Sequence, residues 1–141
     1  MKLQAKEPVS GMDMPVGKSD WFIQNLVFLA KSGIELPVTL NTTGGLVSGV
    51  VISGERYLEL LSTRFCEAGA GHLAHAGLGD WFGQYMDVLA NDDAEGDGPH
   101  FIHLRDACVA GPAAAGGTVP VQAPLWRGRI RAITGLSFAG L

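Results

Sequence analysis

Two cysteines, Cys66 and Cys108, carry all the thiol chemistry of the 141-residue chain, and neither belongs to a CxxC pair or a zinc-ligand spacing. A disulfide framework and a zinc ribbon are excluded, and buried reduced thiols are expected. Charge is scarce as well: 17% of residues are Asp, Glu, Lys or Arg, below the usual quarter. Ten Lys and Arg stand against fourteen Asp and Glu, a net charge of -4, so the whole chain offers no polybasic footprint for unspecific nucleic-acid binding. Any anion site must be a local patch. There is no run of about 18 apolar residues, so no membrane span is expected. Met1 to Lys18 lacks the apolar core of about 7 to 15 residues that a signal peptide needs. The chain therefore reads as cytoplasmic, soluble and reducing. P-loop, dinucleotide fingerprint, nucleophile elbow and zincin helix are all missing. No catalytic residue, cofactor site or metal site is nominated, and the chain reads as a non-enzyme.

Apolar material is plentiful. Hydrophobic residues make up 47% of the chain, enough for one core and against wholesale disorder. Residues 1 to 18 hold no sustained period and are broken by Gly11, Pro15 and Gly17, which predicts a flexible N-terminal segment followed by a single domain over 19 to 141. Ser19 or Asp20 can cap a very apolar helix from Trp21, with Lys31 at its end and Gly33 as terminator. Its apolar residues run nearly all the way round, which predicts two covered faces, one toward the core and one toward a partner. Ile34 to Thr42 alternates with the two-residue period of a strand, Thr42 to Gly45 reads as a tight turn, and Leu46 to Ser53 resumes the strand, with Gly49 allowing a bend or bulge.

A second helix is expected from Ser53 or Gly54, and Asp80 is placed to cap a third containing Trp81 and Phe82. Residues 66 to 99, ending in the acidic run Asp92 to Asp97, form a helical and acidic insertion between the two parts of the sheet. His100 to Val109 reads as a strand, Ala110 to Pro124 as a Gly, Ala and Pro connection, Leu125 to Ile133 as a further strand and Leu136 to Leu141 as a last short one. The fold class is α+β: a small, strongly bent antiparallel sheet or a β-barrel, with an N-terminal helix and a helical insertion.

Arg127, Arg129 and Arg131, two residues apart, predict three guanidiniums on one strand face, able to meet phosphates or a row of carboxylates. The Asp92 to Asp97 run is their natural neutralising partner. His100 and His103 point to opposite faces of a regular strand and cannot share a metal. His72 and His75 lack a carboxylate motif, and the acidic run lacks the bidentate Glu of a calcium loop. Trp21, Phe22, Trp81, Phe82 and Trp126 are the aromatics nominated for partner contact, together with the three arginines.

The order of helix, bent strand pair, inserted helices, strand and strand pair resembles the Sm-like five-stranded barrel. That likeness implies an oligomeric ring and, as an alternative function, RNA or polyanion binding through the arginines. Three segments give a closer resemblance. They are Leu40-Asn41 through Val47-Ser48-Gly49-Val50-Val51-Ile52-Ser53, running into Tyr57 and the Leu61-Ser62 helix, then His100-Phe101-Ile102-His103-Leu104-Arg105, and Leu125-Trp126-Arg127-Gly128-Arg129-Ile130. Together they resemble the GvpU family of gas vesicle accessory proteins. The resemblance implies a non-enzymatic factor that acts in vesicle assembly, shell association or clustering. It would be gas vesicle associated and self-associating, with shell or other accessory proteins as partners.

Overall fold

The computed structural model describes residues 19–68, 77–85, 88, 98–112 and 118–139. Asp20 starts the first helix as expected: its carboxylate accepts the Phe22 backbone N–H at 2.8 Å and satisfies one of the orphan donors of the first turn. Helix α1 (Trp21–Lys31) ends with Lys31 in its last turn, where a cation suits the helix dipole. The chain then enters β1 (Pro37–Thr42), turns, and returns as β2 (Gly45–Ile52). In the turn the Thr42 hydroxyl donates to the Gly45 carbonyl at 2.9 Å and accepts the Gly44 N–H at 3.2 Å. Helix α2 (Gly54–Ala68), a short helix α3 (Leu78–Gly83), β3 (Phe101–Pro112), β4 (Thr118–Arg129), a 3₁₀ turn (Ile130–Ala132) and β5 (Ile133–Phe138) complete the described chain.

The five strands make one antiparallel sheet in the order β4-β3-β2-β1-β5. One face carries Val38, Leu40, Val47, Val51, Ile102 and Leu104, all buried, and α1 packs onto it through Ile23, Val27 and Ala30. On the other face, Ile52 is opposite His103 in the register, both are buried, and α2 lies over them. The expectation of two covered faces on α1 is half met: Leu26 and Phe28 are buried with the core residues, while Phe22 stays 43% exposed. The amide of Gln24 is also buried, and its Nε2 donates to the Pro99 carbonyl at 3.1 Å, tying α1 to the approach of β3.

A bulge does occur at Gly49, but its extra residue belongs to β3: Asp106 and Ala107 together face the single Gly49. The register of β2 on β3 shifts between Ser48 and Val50, where Asp106 takes a φ of 50°. A Cβ at Gly49 would lie 3.0 Å from the Arg105 carbonyl and 3.1 Å from the Leu104 Cβ, so the strands approach this closely only because position 49 has no side chain. Arg105 itself is held between Glu35, 3.1 Å away, and Asp106, 2.7 Å away; these two carboxylates raise its pKa.

The sheet is bent but open, which corrects the Sm-like barrel. Closure would require β4 to bond to β5, and instead, among the described residues, β4 bonds only to β3 and β5 only to β1. The edges are nevertheless linked by just three residues, Ile130–Ala132, so the sheet must curl until they come near one another at that corner. The 3₁₀ turn also corrects the strand expected through Ile133. A second correction concerns the Ala110 to Pro124 connection: much of it is strand, because β3 runs to Pro112 and β4 begins at Thr118. Pro120 and Pro124 are tolerated there since β4 is an edge. In place of the Asp80 cap, α3 begins after Gly77, which has no side-chain cap, and Asp80 sits in its first turn.

Candidate functional site

On the face opposite α1, a groove of about 360 Å³ opens between α2, α3 and the edge strand β4. Tyr57, Leu58 and Leu61 of α2 line one wall, Trp81, Phe82 and Tyr85 the other, with Val88 beyond them and Arg127 at the β4 rim. The α2 residues recur at three- and four-residue spacing, which puts them on one helix stripe. The opposite wall is held by aromatic contacts: Phe65 stacks on Phe82 with centroids 4.9 Å apart, and Trp81 meets both Phe82 and Tyr85 edge-on at 5.0 Å. The two helices can come this close because residue 79 is glycine. A Cβ there would run into the Cys66 sulfur and come within 2.7 Å of the Ser62 carbonyl.

Arg127 is fixed by two neighbours on the sheet. Its guanidinium carbon lies 3.6 Å from the centroid of the Phe101 ring, and its Nε donates to His103 Nε2 at 3.2 Å. The Tyr57 ring in turn lies over His103, centroids 4.6 Å apart. Because Nε2 accepts from a guanidinium, the His103 proton resides on Nδ1 and the ring is neutral. Burial, helped by the neighbouring Arg127 charge, pushes the His103 pKa down to about 3. Burial raises the Tyr57 phenol, with Arg127 acting weakly in the other direction. A neutral imidazole thus serves as a fixed acceptor that orients Arg127. Nη1 and Nη2 of Arg127 have no hydrogen-bond partner among the described residues.

The structure brings together Trp81, Phe82 and Arg127 of the residues nominated from sequence, and separates the others. Trp21 and Phe22 lie at the start of α1, where Phe22 meets Trp21 at 5.8 Å and Phe138 of β5 at 6.4 Å. Trp126 packs against the core, its indole lying across Gly128. The three-arginine row is corrected to two: Arg127 and Arg129 share a strand face, but Arg131 belongs to the 3₁₀ turn. Cys66 is exposed and Cys108 half-buried, contrary to the expectation of buried thiols. The acidic run Asp92 to Asp97 and the pair His72 and His75 lie outside the described residues.

Sequence reasoning did not nominate Tyr57, Phe101 and His103 as site residues, although all three lie in or beside the segments that carry the family resemblance. His103 was set aside with His100 as a metal candidate, yet its place between Ile102 and Leu104 was the signal of a largely apolar strand in which the polar member needs a partner. Among the described residues, no cluster of three or more His, Cys, Asp or Glu is placed to hold a metal, and no helix is long and apolar enough to cross a membrane. The arrangement can do one thing well: take up apolar side chains along a groove, with a positioned guanidinium to receive an anionic group at one end.

Comparison with known proteins adds a family to this geometry. The family model described as gas vesicle protein GvpU-like matches residues 20–141, from the α1 cap to the last residue. No curated protein and no solved structure matches the chain.

Proposed function

The chain belongs to the gas vesicle protein GvpU-like family, and from that premise we propose that it is a non-enzymatic accessory protein that docks on a vesicle shell protein or another accessory factor through the groove of α2, α3 and Arg127. The observation that carries this reading is the exposure of large apolar side chains at the groove mouth. Trp81 is 48% exposed, Tyr85 41% and Val88 62%, beside a guanidinium whose Nη donors have no partner among the described residues. Aromatic residues and arginine are the types that dominate protein–protein hot spots. The partner this surface fits is an apolar segment that carries a carboxylate near one end. Self-association of the chain would make such contacts multivalent, so that weak single contacts add up to retention on a vesicle or clustering of several.

The test is flotation of purified protein with purified gas vesicles at low and high salt. Apolar docking predicts co-flotation at both salts, weakened but not abolished at high salt, because only the Arg127 contact is screened. A Trp81→Ser, Tyr85→Ser double variant should remain below the buoyant layer. If that variant floats as the parent does, the groove is not the docking surface. Binding that collapses with salt and is abolished by Arg127→Glu and Arg129→Glu would replace the apolar reading with polyanion recognition.

A further inference from the structure

We propose that β5 is a homotypic edge, and that two copies of this chain pair through it antiparallel about a two-fold axis at Leu136. The proposal specifies the surface for the self-association suggested above, and it stands without the gas vesicle assignment. Its first support is the direction of the β5 backbone groups. The Ala139 N–H bonds to the Pro37 carbonyl at 3.3 Å, so Ala139 faces β1. Alternation along the strand then points Ser137 and Gly135 toward β1 and the N–H and C=O of Leu136 and Phe138 away from it. β5 has no strand partner on that side among the described residues.

The second support is that this edge can meet itself. With the axis at Leu136, the outward N–H and C=O of Leu136 bond reciprocally to their own symmetry mates. Phe138 then falls opposite Thr134 of the partner subunit, which is the extra residue where β5 slips against β1, so the regular self-complementary pairing is centred on Gly135 to Ser137. Ile133 to Phe138 contains no ionisable side chain, so no like charges are brought face to face. Phe22, 43% exposed, packs edge-on against Phe138 and places apolar surface beside the pairing strand. Among the described residues the other open edge is the better protected: β4 carries Pro120, Pro124, Arg127 and Arg129, and prolines and cations discourage pairing at a sheet edge, whereas β5 has only the slip at Thr134.

Sedimentation of the purified chain over a range of concentrations tests the proposal. A monomer–dimer equilibrium is expected, and Leu136→Pro, which removes the outward N–H on both copies, should weaken it about tenfold or more. Circular dichroism verifies that this variant folds, and Thr134→Lys, at an exposed position, provides a second disruption that leaves the core untouched. In a Cys66→Ser, Cys108→Ser background, Leu136→Cys should cross-link to itself on oxidation, since an axis there sets the paired Cα atoms about 5.5 Å apart. Val121→Cys on β4 should not. A chain that stays monomeric at high concentration, with the Leu136 and Phe138 amides protected by its own remaining segments, overturns the proposal. So does a dimer that ignores both disruptions, or one whose cross-links join β5 to β4 of the partner subunit.

Discussion

Acidification should destabilise this protein through one ring, His103. The unfolded side chain titrates near 6.5 and the folded one near 3. Between these values the unfolded state binds a proton that the folded state refuses, so stability is full above about pH 6.5 and declines as the pH falls through the window. The slope approaches 1.4 kcal/mol per pH unit, which gives a loss of about 2 kcal/mol between roughly pH 7.5 and pH 5. With a urea m-value of about 2 kcal/mol/M, that loss moves the unfolding midpoint by about 1 M. Carboxylates also titrate at the acid end, so the quantity to measure is a difference. His103→Gln keeps an acceptor for Arg127 and cannot be protonated, and urea midpoints of both proteins at the two pH values isolate the imidazole. The parent should lose about 2 kcal/mol more than the variant over this range. Parallel midpoints, or an NMR titration that places His103 near 6.5 in the folded state, would refute the reasoning. Replacing Arg127 by Met should raise the His103 pKa without returning it to its ordinary value, since burial is the larger cause.

Three further outcomes follow from close contacts. Gln24→Leu leaves the buried Pro99 carbonyl without its Nε2 donor and should cost about 1 to 3 kcal/mol in chemical denaturation. Gly79→Ala drives a methyl against Cys66 and Ser62, so α3 should lift from α2; faster hydrogen exchange over residues 77–85, with the strands unchanged, is the expected readout. Gly128→Ala pushes on the Trp126 indole and should cost about 1 to 3 kcal/mol of thermal stability. In a Trp126→Leu chain the same change should cost much less.

Local chemistry made part of this architecture legible. Asp20 before an apolar run, the Thr42 to Gly45 turn between alternating segments, and Gly49 in a strand each announce a cap, a hairpin and a bulge, because the cause lies within a few residues of the effect. The failures share a different origin. Arg127, Arg129 and Arg131 keep a perfect two-residue alternation, but the chain must leave one sheet edge for the other after Arg129, and that demand comes from the topology. Pro120 and Pro124 read as connection because their tolerance in β4 depends on its being an edge. The groove was only half visible: Trp81 and Phe82 stood out as aromatics, whereas their pairing with Tyr57 and Leu61 is made by a contact at Gly79, eighteen and twenty-two residues from Leu61 and Tyr57 in the chain. His103 and Arg127 are separated by 24 residues, and only the β3–β4 register sets them side by side.

The triplet Trp126-Arg127-Gly128 shows how tightly adjacent letters can be bound to separate tasks. The indole fills the core-side space over position 128, while the guanidinium between them belongs to the opposite face and its groove. Positions 126 and 128 are therefore not free to drift independently over evolutionary time. Any side chain at 128 must await a smaller neighbour at 126, whereas 127 is tied to His103 and Phe101 on the other face. Among natural relatives, then, the outer two letters should vary as a pair and the middle one with the β3 positions 101 and 103 that hold it, two couplings interleaved in three consecutive letters.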